Sequence, residues 1–160
     1  MPTLLLEIAA PASSGRTFVP MLRRRLRQAH RLLHPPLREL SVVLVGNRRM
    51  AGLHDRFLGI CKPTDVLTFE LDHDCEGNVT SGEIVICVPE AIRQAKLRCG
   101  DAGRELLLYA LHGTLHLCGF DDRTERGFQA MHHREDQILI ELGVGPVFAR
   151  SQTRRRIGVE

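Results

Sequence analysis

The 160-residue chain contains no tryptophan and a single tyrosine, so it lacks the interleaved aromatics that stack the bases of RNA or DNA on a platform. Lysine is nearly as scarce, with Lys62 and Lys96 set against twenty arginines. Apolar runs are short: Leu106–Leu111 and Ile84–Cys87 fall far below the roughly 20 residues that span a bilayer. No basic stretch followed by an apolar one opens the chain, and the expectation is a soluble, unexported, cytoplasmic protein without a membrane partner. The five cysteines, at 61, 75, 87, 99 and 118, form no CxxC pair and leave an odd one over. That argues against a disulfide framework or a thiolate zinc site and fits a reducing compartment.

What is present is enough for one ordinary domain, expected over residues 1–149 with a basic, flexible tail at 150–160. A chain of about 150 residues buries roughly 68–70% of its unfolded surface, so any metal found here should serve chemistry rather than assembly. The net charge of +3 hides a division along the chain. Residues 16–49 hold nine arginines and one glutamate, residues 50–149 hold nine basic and sixteen acidic residues, and residues 150–160 hold four arginines and one glutamate. Basic charge concentrated in this way suits a polyanionic partner, and equally the wet side of an amphipathic helix.

Thr3–Ile8 reads as a strand. From Thr17 to Leu33 the residues Phe18, Met21, Leu22, Leu26, Ala29 and Leu33 recur at helical spacing, with Arg23, Arg24, Arg27 and Arg31 largely opposite, until Pro35 and Pro36 stop the helix. Leu40–Val45 reads as a strand and Asn47 as the N-cap of a helix to about Leu58. Asp65–Leu71 and Glu83–Val88 read as strands flanking a polar loop, Asp72–Gly82. Three helices follow, from Pro89 to about Leu97, from about Arg104 to Leu117 closed by Gly119, and from about Thr124 to Leu142. This order predicts an α+β domain with a small mixed sheet. His30, His34, His54 and His73 read as surface or loop residues, and the pair His132-His133 as incidental.

His112 and His116, at i and i+4, project from one face of a helix and can chelate one divalent ion. Gly119 can turn the chain back so that Asp121 or Asp122 supplies a third ligand. Two imidazoles and a carboxylate leave a tetrahedral ion one open position, as in catalytic rather than structural zinc sites. Glu105 returns to the same helix face and could orient a ring N–H. Gly113, not Glu, follows the first histidine, so the general base of an HExxH protease is missing.

The run HGTLHLCGFDD, His112–Asp122, resembles the HGxLHLxGYDH signature of the YbeY family, bacterial endoribonucleases of ribosomal RNA maturation. KPTDVLTF at Lys62–Phe69 resembles the family's PTDVLSF strand and GEIVIC at Gly82–Cys87 its GDIVIC strand, so the similarity spans roughly Leu40–Leu142. The resemblance implies a zincin-like fold and one Zn2+ per chain, held by His112, His116 and Asp122, the last standing where the family usually has a third histidine. It also implies single-strand-specific RNA cleavage acting on the 3′ end of 16S rRNA, a role in ribosome quality control, and partnership with the small ribosomal subunit rather than DNA. A family arginine five residues before the PTDV segment is here Leu58, and the acidic residue three further on is Cys61. Arg56 lies two residues before Leu58 and could substitute for that arginine.

On this reading His112, His116 and Asp122 carry catalysis with the metal, and Asp121 or Glu105 serves as proton acceptor. The helix Arg23–Arg31, or Arg48 and Arg49 with Arg56, holds the RNA backbone. The competing expectation is a ribosome-associated metal-binding assembly factor with weak or no cleavage, which Leu58 favours.

Overall fold

Alternating apolar residues between Leu5 and Cys87 pair into one sheet, and the helices between and after these strands cover it. The computed structural model describes residues 3–58 and 66–146. The elements are β1 (Leu5–Ala9), a 3-10 turn (Ser13–Phe18), α1 (Val19–Leu33), β2 (Glu39–Val45), α2 (Asn47–Leu58), β3 (Val66–His73), β4 (Val79–Cys87), α3 (Val88–Leu97), α4 (Ala102–Leu117) and α5 (Glu125–Glu141). The sheet order is β1-β2-β4-β3; β1 and β2 run parallel to β4, and β3 is antiparallel to it. The predicted α+β class with a mixed sheet is what the structure has.

Strand parity assigns the two faces. Leu40, Val42 and Leu44 of β2 and Ile84 and Ile86 of β4 join the main core, with Leu22 and Leu26 of α1, Leu106, Leu107, Leu111 and Leu115 of α4, and Met131 and Ile138 of α5. Val45, Val85, Cys87 and Leu67 point the other way and meet Met50 of α2. Helix α4 is buried through most of its length and serves as the spine on which the sheet and α5 rest.

The polar loop expected at Asp72–Gly82 is a hairpin turn of only a few residues. Strand β4 begins at Val79, and β3 runs on to His73 through irregular pairing near Asp72. Asp74 makes the turn by accepting hydrogen bonds from the backbone N–H groups of Glu76 and Asn78, and Gly77 sits at φ +86°. Gly82, expected at the end of the loop, lies inside the strand, where a Cβ would come within 2.5 Å of the Leu117 side chain. His30 is also corrected: it is buried, and its Nε2 donates to the Leu37 carbonyl at 2.7 Å. Cys61, Lys62–Asp65 and the expected tail at 150–160 lie outside the described residues.

Candidate metal centre

Helix α4 ends in a Schellman motif built on Gly119. Phe120 N–H donates to Leu115 O at 3.1 Å, Gly119 N–H donates to His116 O at 3.0 Å, and Gly119 adopts φ +99°, a conformation other residues rarely take. The chain therefore doubles back over the last turn of α4, bringing Asp122 over the two histidines. The return is fixed from the far side by α5, which starts at the Thr124 cap with Thr124 Oγ1 accepting from Gly127 N–H at 3.0 Å. Gly113 lets α4 lie close on the sheet, since a Cβ there would come within 2.9 Å of Ile84 Cδ1 and Thr68 Oγ1.

The result is a three-atom triangle. His112 Nε2 and His116 Nε2 are 3.2 Å apart, and Asp122 Oδ2 lies 3.7 Å from the first and 3.6 Å from the second. Ligands held tetrahedrally at about 2.0–2.1 Å from zinc are about 3.3–3.4 Å from one another, so these donors fit such an ion with little adjustment. Among the described residues, no other group of three histidine, cysteine or acidic side chains gathers in this way.

Each imidazole is also held from behind. The Phe120 carbonyl can only accept, so His116 Nδ1 donates to it at 3.1 Å and the neutral ring presents a lone pair at Nε2. His112 Nδ1 lies 3.6 Å from Glu135 Oε2, and the other oxygen of that carboxylate lies 3.2 Å from His132 Nδ1. Glu135 is 1% exposed, and its Oε2 has no hydrogen-bond partner within normal reach. Burial is the strongest influence on this carboxyl and raises its pKa. The neighbouring imidazoles of His112 and His132 together outweigh burial and hold it below its ordinary value. A buried carboxylate aimed at the distal nitrogen of a ligand histidine is the usual support of a metal-binding imidazole.

Glu105, expected in that role, is elsewhere. Seven residues before His112 it is about 10 Å farther back along the helix, and it pairs with Arg98 at 3.3 Å. Sequence spacing gave no sign of Glu135, which arrives from α5, nor of His132, whose ring stacks on His112 with centroids 6.0 Å apart. Asp121 lies at the mouth of the site but faces Arg123. The hydrogen bonds from that guanidinium pull its pKa down to about 2, which makes it a poor proton acceptor near neutrality.

The triangle opens into a cleft of about 1,090 Å³, walled by Val66, Thr68 and Glu70 of the edge strand β3 and by Phe120 and Arg123. Around Glu70 it adjoins a second groove of about 410 Å³ on the other sheet face, where Arg49 and Arg56 of α2 stand over Val43, Val85 and Phe69. Arg48 is exposed on the first turn of α2. The side chain of Leu58 lies outside the description.

A helix carrying two histidines one turn apart, closed by a carboxylate from the following turn and backed by a small mixed sheet, defines a protein with three donor atoms placed to hold one metal ion beside an open cleft. Comparison with known proteins places it further. The family model for Endoribonuclease YbeY matches residues 15–143. The Endoribonuclease YbeY of Moorella thermoacetica is 36% identical over 115 residues, covering 66% of this chain and 74% of that protein. The one from Desulforamulus reducens is 35% identical over 117 residues, covering 69% and 76%. A Thermotoga maritima protein with a known solution structure superposes with a TM-score of 0.62 at 26% identity, covering 86% of this chain and 91% of its own. The chain belongs to the YbeY endoribonuclease family.

Proposed function

We propose that this chain is a zinc-dependent, single-strand-specific endoribonuclease acting in ribosomal RNA maturation, including the 3′ end of the small-subunit species, and in ribosome quality control. The observation that carries the reading is the triangle of His112 Nε2, His116 Nε2 and Asp122 Oδ2, with edges of 3.2, 3.6 and 3.7 Å, at the floor of an open cleft. Family membership supports RNA as the substrate, and the absence of any described helix long and apolar enough to cross a membrane agrees with work beside the ribosome.

These three side chains would hold the ion. When bound, zinc supplies a Lewis acid that stabilises charge developing on a phosphodiester and promotes ionisation of an attacking hydroxyl. The protein's own residues do the rest. Phe120 O holds the His116 ring by a hydrogen bond, and the Glu135 carboxylate, 3.6 Å behind His112 Nδ1, favours the ring form whose lone pair is at Nε2. The cleft is walled by the edge strand β3, and on this reading a single strand lies along it. Arg49, beyond Glu70, offers a guanidinium group to the backbone, with Arg56 beside it and the Asp121-paired Arg123 at the mouth adding positive charge. Glu105, about 10 Å back along the helix, is too distant, and Asp121 too strongly ionised, to be preferred as proton acceptor.

The test is cleavage of a labelled single-stranded RNA beside its duplex form. Activity on the single strand alone, abolished by chelator, restored by zinc and absent in His112→Ala, supports the reading. Cleavage that survives chelation or His112→Ala contradicts it. A second reading, a ribosome-associated assembly factor whose metal only steadies the fold, is favoured by Leu58 in place of the family arginine. It predicts bound zinc and small-subunit binding without cleavage.

A further inference from the structure

Between Glu7 and Glu39 the chain has seven arginines and no acidic residue, and five of those arginines lie on α1. The structure divides them by task. Arg25 donates to Leu142 O at 2.6 Å and Arg27 to Leu4 O at 3.1 Å, tying α1 to the end of α5 and to β1. Arg23, Arg24 and Arg31 are exposed and have no acidic partner among the described residues. At about 100° per residue, Arg23, Arg24, Arg27 and Arg31 fall within an arc of about 100°, nearly opposite Leu22, Leu26 and Ala29. The 15-residue helix is about 22 Å long.

We propose that this arginine face is a docking surface for the phosphate backbone of an RNA duplex, separate from the metal cleft. RNA fits this face better than lipid because the apolar side of α1 is already used: Leu22, Leu26 and Ala29 are 0–1% exposed against the core, which leaves nothing to insert into a bilayer. A duplex fits better than a single strand because α1 carries no Phe, Tyr or Trp on which unpaired bases could stack. A straight row of guanidinium groups reads regular backbone shape instead. Its position fits. Helix α1 packs on β1 and α4, and β1 is the sheet edge opposite β3, about three strand spacings or 14 Å across. One RNA could then rest a helical stem on α1 and offer an adjoining single strand to the cleft. This assignment rests on the reading of the substrate as RNA.

The test is fluorescence anisotropy, in chelator so that nothing is cut, with an RNA hairpin and with a short unpaired RNA. The protein is compared with an Arg23→Gln/Arg24→Gln/Arg31→Gln variant and with a charge-matched Arg93→Gln/Lys96→Gln/Arg126→Gln control. Each phosphate contact contributes about 0.7–0.9 to the slope of log affinity against log salt. The α1 variant should therefore lose about two to three from the hairpin slope and at least tenfold in affinity, while the control, the melting temperature and short-strand binding hold. Unchanged hairpin binding overturns the proposal. So does equal loss on the unpaired RNA, or tighter binding of vesicles rich in anionic lipid than of the hairpin. Hairpin binding through α1 by a protein that cuts no single strand would sustain the docking surface and overturn only the cleavage assignment.

Discussion

Glu135 lies 23 residues beyond His112 and on another helix, yet its carboxylate stands 3.6 Å behind that histidine's Nδ1. Replacing it with glutamine keeps the volume and removes the charge that favours an Nδ1–H ring. Outer-shell changes of this type cost about 10–100-fold in metal affinity, and Glu135→Gln should weaken zinc by that factor in a competition titration with a chromophoric chelator. Unchanged affinity would reduce the carboxylate to a packing element. The two histidines and Asp122 were legible because they are local: an i,i+4 pair and a glycine turn bring them together whatever the rest of the fold does. Glu135 was illegible because its contact depends on how α5 packs against α4. Cysteine chemistry also sorts by surroundings. Burial pushes the Cys118 thiol up to about 12, Cys87 is buried, and Cys75 and Cys99 are exposed. Since the thiolate is the reactive form and grows with pH only as the thiol's own pKa is approached, alkylation mapped at pH 8 should mark Cys75 and Cys99 and spare Cys118. Rapid labelling of Cys118 in the folded protein would contradict the packing described.

At the scale of elements, the metal centre depends on how closely three backbones approach. Alanine is about 0.8–1.0 kcal/mol better than glycine in a helix interior, so propensity alone would favour Gly127→Ala. The structure predicts the reverse. A Cβ at Gly127 would lie 2.0 Å from the Asp121 carbonyl oxygen, a backbone atom next to a ligand, and overpacking of this kind costs about 1–3 kcal/mol. Gly127→Ala should lower the melting temperature by several degrees and, by displacing the Asp121-Asp122 turn, weaken zinc about tenfold. A stabilised variant with intact affinity would show that the turn is not braced by α5. Most elements were legible from hydrophobic period and punctuation, including α1 with Pro36 beyond it and α5 with Thr124 before it. The hairpin was not, because Gly82 and the acidic residues around Asp74 have the composition of a loop. Only the packing of Leu117 on Gly82 and the capping by Asp74 reveal a strand and a tight turn.

For the whole molecule, the order of strands and helices along the chain indicated an α+β domain, whereas the strand order β1-β2-β4-β3 depends on non-local pairing that no window of sequence contains. That order matters for function. It puts the antiparallel β3 at an edge, where it walls the cleft, and α1 toward the opposite edge, where its arginines are exposed. The central claim is that His112, His116 and Asp122 form a mononuclear zinc site in a YbeY-family nuclease. Elemental mass spectrometry of protein purified without chelator tests it most directly. The account predicts about one zinc per chain, retained through gel filtration and largely lost in His112→Ala and Asp122→Ala. Metal-free wild-type protein that cannot be loaded, or full zinc content in both variants, would contradict it.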